Sequence, residues 1–115
     1  MNKDKRNVIA GALANYRLAL ALEMQHPALD KIGRMLETLS EKEKWLVEAR
    51  YLSAESEYTF DSHLYQAAHM SGITYSKIRA SAFTKLQGIT DLISPSQRFG
   101  QPPILKERGE AHDQE

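Results

Sequence analysis

Apolar residues recur three or four positions apart along almost the whole chain, and alternating β-branched residues never persist for the length of a strand. This is the period of an α-helix that buries one face. The sequence therefore predicts an all-α fold, a small domain of about five helices that ends in a helix-turn-helix. With 115 residues, 42% of them hydrophobic, the chain has the size and apolar content of a single domain with one core.

Caps and prolines divide this pattern into helices. Ser40 and Glu43 have the spacing of a capping box, which starts a helix directly after Ser40. Pro27 ends the first helix, because the residue before a proline is forced out of the helical region. Asp61 and Thr74 are predicted to cap the last two helices. The predicted helices, numbered 1 to 5, cover residues 4–25, 28–38, 41–52, 62–69 and 75–93.

Three parts are predicted along the chain. Residues 1–38 form an N-terminal helical segment whose first helix has two apolar stripes, so that it either covers the core or pairs two subunits as a homodimer. Residues 39–93 form the helix-turn-helix domain. The polar, proline-containing stretch 94–115 is expected to be a flexible tail that the fold does not need. Within it, residues 102–105 are either a linker, which is the favoured interpretation, or a docking segment.

The start of the chain imitates a secretory signal, because basic residues are followed by an apolar run. Asn15 and Arg17 interrupt that run, which stays shorter than the ~18 residues of a membrane span. We therefore expect an amphipathic helix of a cytoplasmic protein that does not enter a membrane. The absence of cysteine excludes disulfides, thiolate metal sites and a cysteine nucleophile, and it suits a reducing compartment.

The most informative pattern is the predicted helix 4, turn and helix 5. Ala68 is small enough for two helices to cross closely, and Gly72 tolerates a positive φ in the turn. Ile73 and Ile78 are placed as the two apolar anchors that fix the angle between the helices. This spacing predicts a helix-turn-helix, although other short helical hairpins also produce it.

The charge distribution favours the same interpretation. Fifteen basic and fifteen acidic residues leave the chain neutral, so that binding to a polyanion requires a local patch. Residues 62–93 have three basic residues and one acid, a net charge of +2, whereas residues 37–61 have seven acids and three basic residues, a net charge of −4. An ordinary solvated helix face is the alternative.

We predict that helix 5 enters the major groove of double-stranded DNA, where residues at the start of a helix contact base edges and lysines farther round reach phosphates. Arg79 is the strongest candidate for sequence readout, because its planar side chain can bond guanine O6 and N7 together. Lys77 and Lys85 are expected on phosphates. The candidate DNA-binding residues are Thr74, Tyr75, Ser76, Lys77, Arg79, Ala80, Ser81 and Lys85, with Ser62 and His63 as secondary candidates.

Residues 39–43, 50–52, 68–78 and 82–86 together resemble sigma factor region 4, a helix-turn-helix with a capped helix before it. The likeness to ArpU-type phage transcriptional regulators is closer and covers about residues 39–92. It includes the acidic insertion before helix 4 and two motifs, Asp61-x2-Leu64-Tyr65 and Thr74-Tyr75-x2-Ile78-Arg79-x2-Ala82-Phe83. The resemblance implies a regulator of late phage or prophage genes that binds promoter DNA, with RNA polymerase as a further partner.

The sequence contains no motif typical of catalysis, of metal binding or of cofactor binding. The four histidines are scattered, and the sequence has no glycine-rich phosphate loop, no HExxH motif and no dense set of carboxylates. We therefore predict no enzyme, metal or cofactor. Trp45 and Tyr51 are expected in the core instead of forming a base-stacking surface. Besides a DNA-binding regulator, the sequence leaves open a phage assembly or packaging module, or a module that binds RNA polymerase, in which helix 5 meets an acidic protein.

Overall fold

The structure is a computed structural model that describes residues 2–95 and 102–106. Within these residues it contains helices and no strand, which confirms the predicted all-α fold. A π-helical segment, Glu48–Leu52, directly continues α3, and 3-10 turns occupy Ser56–Tyr58 and Gln87–Asp91. The helices are α1 (Lys3–Ala21), α2 (Pro27–Glu37), α3 (Glu41–Val47), α4 (Asp61–Ala67) and α5 (Gly72–Lys85).

Side chains cap the first three helices. The predicted capping box at Ser40 is confirmed: the Glu43 amide donates to Ser40 Oγ at 3.2 Å, and the Ser40 amide donates to Glu43 Oε1 at 2.9 Å. The Asn2 side chain accepts from the Lys5 amide at the start of α1, and His26 Nδ1 accepts from the Ala28 amide at the start of α2. These bonds satisfy amides that have no partner inside the helix.

The first helix ends four residues before the predicted end. Glu23 has a φ of 57°, and the amides of Glu23 and Met24 donate to the carbonyls of Leu20 and Ala19. This pair of bonds is a Schellman motif, which normally uses glycine in the left-handed position. A glutamate in that position gives no sequence signal, and Pro27, which the sequence pattern places at the end of the first helix, is the first residue of α2.

The first helix covers the core. Ile9, Leu13 and Tyr16 are buried, while Leu20 and Leu22 at its end are exposed. Pairing of α1 with a second copy stays a prediction. None of the helices in residues 2–95 has both the length and the apolar content needed to cross a membrane. The core cluster comprises Ile9, Ala12, Leu13, Tyr16, Ala19, Leu29, Ile32, Leu39, Val47, Ala82, Phe83, Leu86, Ile89 and Ile93.

Residues 102–106 return to the core. Leu105 forms an antiparallel bridge with Ile93 and packs against the core, and Pro103 is buried. The Ser94 amide donates to the Ile104 carbonyl at 3.0 Å. Part of the predicted flexible tail, residues 102–106, therefore contacts the core, and the expectation that the fold does not need the tail stays a prediction. The other positions of the predicted tail, 96–101 and 107–115, lie outside the described residues.

Candidate nucleic-acid interface

The turn between α4 and α5 is a second Schellman motif. His69 has a φ of 59°, and the amides of His69 and Met70 donate to the carbonyls of Gln66 and Tyr65. The prediction that Gly72 supplies the positive φ is therefore wrong, since Gly72 is the first residue of α5. The turn ends α4 at Ala67, two residues before the predicted end.

Gly72 matters because it has no side chain that would crowd the ring of Tyr65. A Cβ atom at this position would lie 3.3 Å from Cζ of Tyr65, closer than ordinary van der Waals contact. Glycine therefore lets the Tyr65 ring lie against the start of α5. The N-cap of α5 is Ser71, whose Oγ accepts from the Thr74 amide at 3.0 Å, so the prediction of Thr74 as the cap is wrong by three residues. Thr74 instead lies exposed in the first turn.

The apolar anchor of α5 is Tyr75, which is 1% exposed. Its ring meets Trp45 edge to face at a centroid distance of 6.4 Å and lies 5.6 Å from the ring of Tyr65. The predicted anchor Ile73 is 72% exposed, and Ala68 is exposed as well. Both predictions are wrong: the buried face of α5 follows the register of Tyr75 and Ala82, which are seven residues apart, and Ala68 lies at the C-cap of α4 instead of inside the helix. Base readout by Tyr75 is excluded by the same burial.

Asp61 joins the helix-turn-helix to the π-helical segment. Its Oδ1 accepts from the Tyr75 hydroxyl at 2.6 Å and from Arg50 Nε at 3.0 Å, and its Oδ2 accepts from Arg79 Nη1 at 3.0 Å. Burial raises the pKa of Tyr75, and the hydrogen bond to Asp61 raises it further. Asp61 does not cap α4 as predicted, because Phe60 occupies the N-cap position without a side-chain bond.

Arg79 faces this cluster and not the solvent. Its side chain is only 18% exposed, and its guanidinium pairs with Asp61. The predicted contact of Arg79 with a guanine would therefore require this ion pair to break. The cluster of Arg50, Asp61 and Arg79 combines two positive charges and one negative charge, so its net charge is +1.

A second cluster lies at Glu43, which is buried at the start of α3. Its carboxylate accepts from the Ser81 hydroxyl and, at 2.8 Å, from Lys85 Nζ. Burial alone would raise the pKa of Glu43, but the hydrogen bonds from Lys85, Ser81 and the Ser40 amide, together with the charge of Lys85, lower it to about 2. Ser81 and Lys85 thus link α5 to α3, and a contact of either residue with DNA would compete with its bond to Glu43.

The solvent side of α5 has a continuous row of short side chains around one lysine. Its members recur three or four residues apart, are all exposed, and are called the α5 ridge here. The α5 ridge consists of Ile73, Ser76, Lys77, Ala80 and Thr84. Ser76, Lys77 and Ala80 were predicted to bind DNA. Ile73 and Thr84 were not, although the spacing from Tyr75 and Ala82 would have placed them opposite the buried face.

A shallow groove beside the α5 ridge is lined by residues of α4 and α5, among them Tyr65, Gly72 and Ser76. The secondary candidates lie at the start of α4: Ser62 is half-buried, and His63 is exposed with its ring against that of Phe60 at 5.3 Å.

In residues 2–95 and 102–106, no group of three histidine, aspartate or glutamate side chains could hold a metal ion.

The other two aromatic residues singled out from the sequence lie behind α5. Tyr51 is half-buried, packs against the core and has its ring 5.5 Å from that of Phe83. Trp45 is half-buried against Tyr75. Neither belongs to the α5 ridge, so a base-stacking role has no support from their positions.

Comparisons with known proteins add no family assignment. The chain matches no protein-family model, and neither the curated proteins nor the solved structures contain a significant match to it. The likeness to ArpU-type regulators and to sigma factor region 4 therefore rests on the residues quoted above.

Proposed function

We propose that this chain is a transcription regulator of phage or prophage genes that acts in the cytoplasm and inserts the α5 ridge into the major groove of promoter DNA. The observation that carries the proposal is the one-sided burial of α5. Tyr75, Ala82 and Phe83 are buried behind the helix, whereas every residue of the α5 ridge is exposed. A recognition helix needs this arrangement, because the major groove must receive a whole helix face.

Charge supports the same partner. Helix α5 has three basic residues and no acidic one. Arg79 and Lys85 are paired with carboxylates, and Lys77 lies on the α5 ridge itself. Lys77 is thus the residue we assign to a phosphate. The hydroxyl of Ser76 can donate to or accept from a base edge.

Short side chains on the α5 ridge support close approach. Ala80 ends at Cβ, and Ser76 and Thr84 extend only one bond beyond it, so the helix axis can come near the floor of the groove. The phage context comes from the family resemblance alone. The α5 ridge and the order of α4, turn and α5 are independent of that resemblance.

Selection of bound duplexes from a pool of randomised DNA tests the proposal. Full-length protein at near-physiological salt is expected to enrich a common sequence, and its affinity is expected to fall steeply as salt rises, because phosphate binding releases counterions. A selection that enriches no sequence would contradict the proposal. Enrichment that requires added RNA polymerase would instead support the polymerase-binding alternative, in which the α5 ridge or another face meets protein.

A further inference from the structure

We propose that Ile73 reads the C5 methyl group of a thymine in the bound DNA, an inference that rests on the proposed function. The starting observation is that Ile73 is 72% exposed in the first turn of α5, although the sequence pattern placed it as a buried anchor. Tyr75 and Tyr65 occupy the contact between α4 and α5 that Ile73 was expected to make. Its apolar surface is therefore left for a partner.

The major groove contains one prominent apolar group, the methyl group of thymine. Residues in the first turn of a groove-bound helix are those that reach base edges. Charge complementarity favours DNA over an apolar protein surface as the occupant, because the exposed Lys77 lies on the same ridge as Ile73 and α5 contains no acidic residue. On the α5 ridge the apolar Ile73 lies near the cationic Lys77 and the hydroxyl of Ser76. The major groove has the corresponding composition, because the thymine methyl group lies among hydrogen-bonding atoms of the base edges.

Ala80 is a second apolar residue on the α5 ridge and is proposed to face the same groove. Ala80 lies seven residues after Ile73 on the same ridge, which is ~10 Å along a helix. That distance corresponds to about three base steps at ~3.4 Å each. Lys77 and Ser76 lie between the two apolar residues, where they face backbone and base edges of the intervening step. We therefore expect the preferred DNA sequence to have a thymine opposite Ile73. About three base pairs away, the base pair opposite Ala80 must accept contact with an apolar side chain.

Replacement of thymine by uracil tests this inference without changing the protein. Deoxyuridine keeps every pairing group of thymidine and lacks only the methyl group. In the duplex enriched from the randomised pool, each dT is replaced in turn by dU, and affinity is measured by fluorescence anisotropy. One replacement is expected to weaken binding about four-fold, the equivalent of one buried methyl group.

The variant Ile73→Ala completes the test. It is expected to bind the dT and dU duplexes equally well, whereas the matched variant Leu20→Ala, which shortens an exposed leucine on α1, keeps the wild-type preference. Wild-type protein that selects a sequence but ignores every dU replacement would overturn the inference and leave the proposed function intact. An unchanged dT preference in Ile73→Ala would also overturn it. Failure of the wild type to bind any duplex would reject both proposals.

Discussion

Replacement of Asp61 by alanine is expected to lower the free energy of unfolding by about 2–3 kcal/mol, because it removes an acceptor shared by three donors. Asp61 accepts from Arg50, Tyr75 and Arg79. Without the carboxylate, the buried Tyr75 hydroxyl has no acceptor in this cluster and two arginines are left side by side. A loss of this size lowers the melting temperature by roughly 10 °C in a domain of this length.

Helix α4 should be the element most affected. None of its residues is buried, so the Asp61 cluster and the Tyr65 ring are its main attachments to α5. Thermal and urea unfolding measure the loss, and amide hydrogen exchange shows whether it is concentrated in α4. The matched control is Glu48→Ala, which removes an exposed carboxylate and is expected to change stability by less than ~0.5 kcal/mol. Equal stability of Asp61→Ala and this control would show that the cluster does not hold α4.

Acid is expected to destabilise the protein through Glu43. The folded-state pKa of about 2 lies below the ordinary value of 4.5, so the folded state binds this proton less readily than the unfolded chain. The stabilisation is therefore complete above about pH 4.5 and is lost as the pH falls from 4.5 through 2. Its full size is at most about 3.5 kcal/mol, since one pKa unit corresponds to ~1.4 kcal/mol.

Glu43→Gln isolates this contribution. The amide oxygen of glutamine can still accept from the Ser40 amide, but the charge opposite Lys85 is gone. The variant is expected to be less stable than the wild type at neutral pH, and the difference should shrink as the pH approaches 2. Urea unfolding across this range measures both curves. Glu41→Gln, an exposed neighbour on the same helix, serves as the control. Parallel curves for wild type and Glu43→Gln would contradict the assignment.

Local sequence patterns were sufficient for the helices and for most of the core. Ser40 and Glu43 form the predicted capping box, because both of its bonds lie within three residues. Ala82, Leu86 and Ile89 are buried as their spacing predicts, although α5 ends at Lys85, eight residues before the predicted end, and Ile89 lies in the 3-10 turn Gln87–Asp91. These features depend on residues that are close along the chain, so spacing in the sequence contains most of the information they need.

Helix ends were less predictable, because two of them use unusual residues in a left-handed conformation. Glu23 and His69 occupy the positions that glycine usually takes in a Schellman motif. The sequence pattern predicts Gly72 as the turn residue with a positive φ, but this glycine instead leaves space for the Tyr65 ring. In the first turn of α5 the sequence pattern predicts that Ile73 is buried, but Tyr75 takes this place. Tyr75 has a polar hydroxyl, and its hydrogen bond to the distant Asp61 helps to make its burial favourable.

Pairing between distant residues could not be read from the sequence. Asp61 meets Arg79 eighteen positions away, and Glu43 meets Lys85 forty-two positions away. These pairs give two candidate DNA contacts, Arg79 and Lys85, a partner within the protein. The bond from the Asn15 side chain to the Ser94 carbonyl spans seventy-nine positions and likewise lacks a local signal. The sequence alone therefore does not indicate which basic residues of α5 are paired with carboxylates within the protein.

The central claim, that the α5 ridge binds DNA, is tested most directly by the salt dependence of binding to the enriched duplex. The dissociation constant is measured over a range of salt concentrations for the wild type, for Lys77→Ala and for Lys31→Ala, which removes an exposed lysine on α2. Loss of one phosphate contact should make the logarithmic salt slope shallower by about 0.9 in Lys77→Ala and leave it unchanged in Lys31→Ala. A slope in Lys77→Ala equal to that of the wild type would contradict the claim.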